Sequence, residues 1–274
     1  MASDLHIHTN FSDGKFSPEE TIAKAKEVGL KYIAITDHDT VEGILDLYEN
    51  GFYPSTAINI IPGVEMSAES EKHEVHILGY NVDIFNEELI ESLNEVAESR
   101  WTRFSEIIKK LNAEGYEISE TEVLTIAGSS KSISRSHIAR ALVKKGIFKG
   151  IRDAFNEVLE RGKPCYVPHF RLSAEKILSI IHSAGGIAVL AHPKLIYDDK
   201  LVEELLDMGM DGIEAYYPEH SDMDTAKFIN MAKKRNLIIT GGSDYHGIVA
   251  RHDIELGEFK LDDKYAEKIY KKSK

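Results

Sequence analysis

Short runs of aliphatic and β-branched residues recur along this 274-residue chain, and six of them end on a histidine, an aspartate or a glutamate. Asp4-Leu5-His6-Ile7-His8 reads as a strand, and Ser17-Pro18-Glu19-Glu20 opens a helix with a capping serine, a proline at the first helical position and acids that suit the dipole. Gly29 ends that helix. Lys31 to Thr36 forms a second strand that stops at Asp37-His38-Asp39, Ile58 to Val64 a third that stops at Glu65, and His73 to Tyr80 a fourth. After Pro168 the alternation resumes, with strands ending at His192, at Glu214 and ahead of Asp244 and His246. In a β/α barrel the reactive groups sit just past the C-terminal ends of several strands, where the loops converge on one face. An open doubly wound sheet would gather its site at one crevice and announce it with a glycine-rich phosphate loop, which the sequence lacks. The expected class is α/β, of the barrel type.

From Glu87 to Lys163 the pattern changes to long charged helical runs with almost no strand signal. The expected organisation is a barrel from 1–86 and 164–274 carrying a helical insert domain at 87–163.

The balance of 33 basic and 46 acidic residues, a net charge of −13, argues against sequence-independent coating of nucleic acid, which depends on neutralising phosphates with Lys and Arg. Extended duplex DNA is therefore not an expected partner, whereas a phosphorylated small molecule or the end of an oligonucleotide is. Cys165 is the one cysteine, so an intramolecular disulfide and a thiolate-built zinc site are both excluded, and any metal must rest on His, Asp and Glu. With no long apolar stretch and a polar start at Ser3-Asp4, a cytoplasmic location is expected and a membrane is not.

His6 and His8 are two apart on a strand, so both rings project from one face and can serve one metal. By itself such a pair is as readily surface or core decoration. Asp13 lies in a Ser-Asp-Gly turn, where an Asx turn is the ordinary reading. Asp37-His38-Asp39 crowds an imidazole between two carboxylates, with Asp39 expected as the cap of the next helix. Glu65, His192, Asp244 and His246 each follow an apolar strand, while His76 sits inside one, the usual place of a core histidine. Jointly these positions describe one shared metal site better than they describe unrelated side chains.

Four of these segments, Asp4-Leu5-His6-Ile7-His8-Thr9 with Ser12-Asp13-Gly14, Thr36-Asp37-His38-Asp39, Ala191-His192-Pro193 and Gly242-Ser243-Asp244-Tyr245-His246, resemble the motifs of the PHP superfamily, named for its polymerase and histidinol phosphatase members. The resemblance spans nearly the whole chain. It implies a distorted seven-stranded β/α barrel, two or three divalent metals per chain and hydrolysis of phosphoesters. Carried over, it makes His6, His8 and Asp244 ligands of one metal. Glu65 would bridge to a second metal held by His76 and His192, and Asp13, His38 and His246 would hold a third. Imidazole and oxygen donors suit Mn, Fe or Zn without choosing among them.

Within the insert, Ser134-Arg135-Ser136-His137-Ile138-Ala139-Arg140 is similar to an Arg-x-His segment of a PHP branch containing nucleoside-phosphate phosphatases and a 5′-to-3′ exoribonuclease. That branch more often has Gly-Arg-Pro-His here. Arg135, His137 and Arg140 are accordingly expected substrate contacts, since the planar arginine fork matches phosphate; His220 is a further one, and the solvated face of a helix is the alternative for the arginines. The resemblance implies a metal-bridging hydroxide attacking phosphorus in line, with Asp13, Asp37 or His246 moving a proton. The expected substrates are 3′,5′-bisphosphonucleotides, nucleoside monophosphates or RNA 5′ ends. A small-metabolite phosphatase of the histidinol-phosphate type and a non-catalytic, metal-stabilised interaction module are the rivals.

Overall fold

The computed structural model of the chain describes residues 2–54, 57–70, 73–168, 170–248 and 254–271. The elements follow in the order β1 (Ala2–Ile7), α1 (Pro18–Glu27), β2 (Leu30–Ile35), α2 (Glu42–Glu49), β3 (Asn59–Ala68), β4 (Val75–Tyr80), α3 (Glu87–Ala113), α4 (Glu120–Ala127), α5 (Arg135–Lys144), α6 (Ile151–Ala154), α7 (Ala174–Ser183), β5 (Ile187–Leu190), α8 (Asp199–Asp207), β6 (Gly212–Tyr216), α9 (Asp222–Arg235), β7 (Ile238–Gly241), β8 (Leu261–Asp262) and α10 (Asp263–Tyr270). Local chemistry accounts for the helix starts. Ser17 accepts from the Glu20 N–H while Glu20 accepts from the Ser17 N–H, a reciprocal cap that recurs at Ser119 with Glu122 and at Ser221 with Asp224.

Among the described residues one sheet runs β7-β6-β5-β4-β3-β2-β1-β8. Strands β1, β2 and β3 are parallel, as are β5, β6 and β7. Strand β4 runs antiparallel to both neighbours, and the two-residue β8 lies antiparallel against β1. The sheet is thus seven strands with a short eighth at its edge. It curls toward closure where Tyr245, past β7, bridges Ile7 at the end of β1: the His8 N–H donates to the Tyr245 carbonyl at 2.9 Å and the Tyr245 N–H to the His6 carbonyl at 3.2 Å.

Side chains alternate across the sheet between two apolar layers. Leu5, Ala34, Ile61, Leu78, Tyr80 and Val189 fill the interior, with Ala266 and Ile269 of α10 packed against them. Ile33, Ile35, Ile60, Ile77 and Leu190 face outward onto α1, α2 and α7 to α9. Between Asp4 and Ile7 two residues of β1, Leu5 and His6, oppose one of β2, Ala34, a bulge that turns both Leu5 and His6 inward and leaves His6 and His8 on one side.

The helical segment has its own core, built on Phe104, Ile107, Leu111, Ile138, Leu142 and Leu159 and reaching Cys165 and Val167. Helix α3 joins the two bodies, since Leu89, Leu93 and Val96 of its first half pack in the barrel's outer layer. No helix among the described residues is long and apolar enough to cross a membrane.

Candidate metal centre

Glu65 is the hub. Its Oε2 lies 3.3 Å from His6 Nε2, 3.3 Å from His8 Nε2 and 2.8 Å from His38 Nδ1, and its Oε1 lies 2.9 Å from His76 Nδ1 and 3.0 Å from His192 Nε2. Asp244 Oδ1 adds a second oxygen 3.1 Å from His8 Nε2 and 3.5 Å from His6 Nε2. At the outer edge His246 Nε2 stands 3.1 Å from Asp13 Oδ1. All nine residues singled out by the sequence therefore gather at one mouth of the sheet.

The antiparallel β4 explains His76. A strand reversed in direction meets the same mouth with its beginning, so a residue that looks interior by sequence sits at the rim beside the C-terminal ends of its neighbours. The approach is tight where β7 returns: a Cβ on Gly242 would lie 2.3 Å from His6 Cβ, so glycine is required there. His192, Asp244 and Asp39 all adopt positive φ (25°, 53° and 50°), backbone that costs a non-glycine residue of order 1–3 kcal/mol and that clusters at functional sites.

Ligand atoms within 4.8 Å of one another form three overlapping groups among the described residues: His8, Asp13, His38 and His246; His6, His8, Glu65 and Asp244; and His38, Glu65 and His76. The donor set fits divalent cations. Among the described residues, His6 Nε2, His8 Nε2, His38 Nδ1, Asp13 Oδ1 and Glu65 Oε2 are buried without a hydrogen-bond partner, an arrangement that costs free energy unless cations or protons fill the space between them. Electrostatics registers the same demand. Burial works against charge on His6, yet Glu214, Glu65 and Asp244 raise it well above the ordinary imidazole value; burial likewise opposes His8, which Asp244 and Glu65 push up to about 10. Burial is overcome in the opposite sense at the carboxylates: the histidines hold Asp13, Glu65 and Asp244 well below the usual range. A cation replaces those protons when it binds.

Glu214 and Tyr217 were not singled out by the sequence as site residues, and Asp37 and Asp39 take roles other than those expected. Glu214, fully buried, places Oε1 3.1 Å from His6 Nδ1 and accepts the His192 N–H through Oε2 at 2.8 Å, fixing the tautomer that leaves His6 Nε2 facing the site. It ends a strand like the others, and that position was its only signal. The Tyr217 hydroxyl donates to Asp244 Oδ2 at 2.9 Å. Asp37 is occupied by the Thr9 N–H and hydroxyl, both at 2.7 Å, and the Ser12 hydroxyl at 2.5 Å, so it braces the His8 turn and is not free to move a proton. Asp39 does not cap α2, whose N-cap Val41 makes no side-chain bond; it pairs instead with Arg100 of α3 and accepts from the Ser67 N–H.

The expected substrate contacts lie elsewhere in part. His137 is interior: its Nδ1 accepts the Ser134 N–H at 3.1 Å as part of the α5 cap, and burial pushes it down to about 4, keeping it neutral. Arg135 pairs with Glu74 and donates to the Leu159 carbonyl. Arg140 reaches the Asp13 carbonyl at 3.4 Å, and the Ser134 hydroxyl donates to Asp13 Oδ2 at 3.1 Å, so α5 docks on the metal-site loop. His220 is tucked behind Tyr217 against Phe228, with Nδ1 bonded to the Ala215 carbonyl. His169 and His252 lie outside the described residues.

Comparison with known proteins agrees with this geometry. Residues 4–166 match the family described as PHP domain. The chain is 35% identical over 249 residues to the 5′-3′ exoribonuclease Rnm of Salmonella typhimurium, covering 89% of this chain and 84% of that protein. It is 34% identical over 249 residues to the 3′,5′-nucleoside bisphosphate phosphatase of Chromobacterium violaceum, covering 89% and 86%. Among solved structures, that of a Bifidobacterium adolescentis protein described as a metal-dependent phosphoesterase superposes with a TM-score of 0.86 at 28% identity over 98% of this chain and 96% of that one.

Proposed function

This chain belongs to the PHP domain family and hydrolyses phosphoester bonds, and from that premise we propose that its substrates are nucleotides: 3′,5′-bisphosphonucleotides, nucleoside monophosphates or RNA 5′ ends. The observation that carries the reading is the Glu65 carboxylate with five imidazoles on its two oxygens, supported by the names of two relatives to which the chain is similar. His6, His8, Asp13, His38, Glu65, His76, His192, Asp244 and His246 are the proposed ligands of two or three divalent ions, drawn from Mn, Fe and Zn because no thiolate is among the donors. Such ions supply Lewis-acid stabilisation of phosphoryl oxygens and lower the pKa of water.

The protein's own part is positioning. His6, His8 and Glu65 are sealed from solvent, whereas the His38 and His246 side chains are 16% and 17% exposed, so substrate approaches from the His38 and His246 side. His246, 3.1 Å from Asp13, is placed to hold or pass a proton between that opening and the interior. Arg140, whose guanidinium reaches the Asp13 carbonyl, stands beside this opening to meet a phosphate, and the helical layer docked there sets which phosphoester fits. Release of inorganic phosphate from adenosine 3′,5′-bisphosphate and from histidinol phosphate, measured in parallel on metal-loaded protein, tests the reading. Faster turnover of the bisphosphate is expected, and activity on histidinol phosphate alone would overturn it.

A further inference from the structure

Between Glu122 and Asp153 the chain runs thirty residues without an aspartate or a glutamate, its longest such stretch, although 46 of its 274 residues are acidic. Seven lysines and arginines fall within it, so a chain of net charge −13 carries one segment of the opposite sign. The fold makes this segment into the end of α4, α5 and the turn beyond, and docks it on the metal-site loop. Ser130 Oγ donates to the Phe11 carbonyl at 2.9 Å, Ser134 Oγ to Asp13 Oδ2 at 3.1 Å, and Arg140 to the Asp13 carbonyl at 3.4 Å.

Helix α5 buries His137, Ile138, Ala141 and Leu142, which leaves Ser136, Arg140 and Lys144 at four-residue spacing on its outer face. Lys144 thus stands one turn past Arg140, a rise of about 6 Å leading away from the opening beside His38 and His246. Lys149 is exposed in the turn that follows. Exposed cations elsewhere are paired: Lys176 with Glu88, Lys227 with Asp199 and Arg235 with Asp207, each at 2.7 Å. Along this segment Lys145 pairs with Glu122 and Lys131 with Glu42, whereas Lys144 and Lys149 have no carboxylate partner among the described residues. Uncompensated like charges repel one another, and a polyanion relieves that repulsion while releasing its own counterions. The acidic remainder of the chain confines such a partner to this face.

We propose that the outer face of α5, with Lys144 and then Lys149 beyond it, is the track for the single-stranded RNA chain that continues from the reacting 5′ end. The proposal rests on the nucleotide reading and narrows it to a polymeric substrate, because these lysines are engaged only as the substrate lengthens past its first nucleotides. Contact through phosphates makes the track indifferent to base sequence.

The track is tested first without turnover. Metal-free protein is titrated against a fluorescent decaadenylate carrying a 5′ phosphate, by anisotropy over a range of KCl concentrations. Binding should weaken about fivefold or more in Lys144→Gln/Lys149→Gln, and the slope of log Kd against log salt should become shallower by about 1.4, the counterion release of two single-strand phosphates. Lys233→Gln/Lys234→Gln removes the same charge from α9 and should leave the affinity within twofold of the wild type. Equal losses in the two double variants, or no binding of the decaadenylate by the wild type, overturn the track.

On metal-loaded protein the ratio of kcat/KM for the decaadenylate over adenosine 3′,5′-bisphosphate should fall about fivefold or more in Lys144→Gln/Lys149→Gln, through KM. Wild-type protein that hydrolyses the bisphosphate but not the decaadenylate overturns the track and leaves the nucleotide reading standing. Hydrolysis of neither sinks that reading, and with it the RNA assigned to the track.

Discussion

Replacing Glu214 with glutamine removes one of two acceptors that join β1 to the turn after β5. Oε1 faces His6 Nδ1 at 3.1 Å and Oε2 takes the His192 N–H at 2.8 Å, both in the sealed interior. Glutamine accepts through one oxygen only, so one buried donor faces an amide NH2, a loss of about 1–3 kcal/mol. For a chain of this size each kcal/mol moves Tm by about 2–4 °C, which makes the expected drop roughly 2–12 °C. The greater effect is on metal. Partners that orient a ligating histidine are worth about 10–100-fold in metal affinity, because they fix which nitrogen is free. Thermal denaturation of the metal-free protein and competition with a chromogenic chelator read the two effects separately. A Glu214→Gln protein that holds its metals within twofold of the wild type would refute the reasoning that His6 is a ligand set by Glu214.

Two further perturbations address the helical layer. His137 is held neutral, down to about 4 against an ordinary 6.5, chiefly by burial. The unfolded chain therefore takes up a proton near pH 6.5 that the folded chain refuses until about 4, so stability falls as pH drops through that window and levels off beneath it, by about 3 kcal/mol in all. His137→Gln, which keeps an acceptor for the Ser134 N–H, should flatten this slope in urea denaturation between pH 4 and 6.5; an unchanged slope counts against it. Burial opposes charge on Asp39, yet the Arg100 guanidinium holds its carboxyl below the usual range. Arg100→Met should accordingly cost about 3–5 kcal/mol by stranding a buried carboxylate. Adding Asp39→Asn should return part of that loss, and an Arg100→Met protein as stable as the wild type would contradict the pairing.

The barrel and the cluster of histidines and carboxylates at its mouth were legible because both are written as coincidences between apolar runs and the residue that ends each run. Gly63-Val64-Glu65 and Ala191-His192-Pro193 need no long-range information to be read as strand ends. What escaped depends on contacts between distant segments. His76 looked interior because strand direction is not a property of the strand's own sequence, and β4 runs against its neighbours. Glu214 carried the same local mark as the proposed ligands, and only the fold reveals that it faces the back of His6. Asp39 was expected as a helix cap because only two residues separate it from α2; its partner Arg100 lies 61 positions away. The Arg-x-His segment drew attention to Arg135 and His137, but in the fold His137 closes its own helix cap and Arg135 joins a set of arginines whose members come from three separate segments. Strand β8 is two residues long and left no periodicity to detect.

The central claim is that one mouth of this barrel holds a multinuclear metal centre that hydrolyses phosphoesters. Elemental analysis of the purified protein, joined to phosphate release by the same preparation, tests it most directly. Two or more divalent ions per chain are expected, with both metal content and activity lost in His8→Ala and in Asp244→Ala; fewer than two ions per chain, with activity intact in those variants, would contradict it.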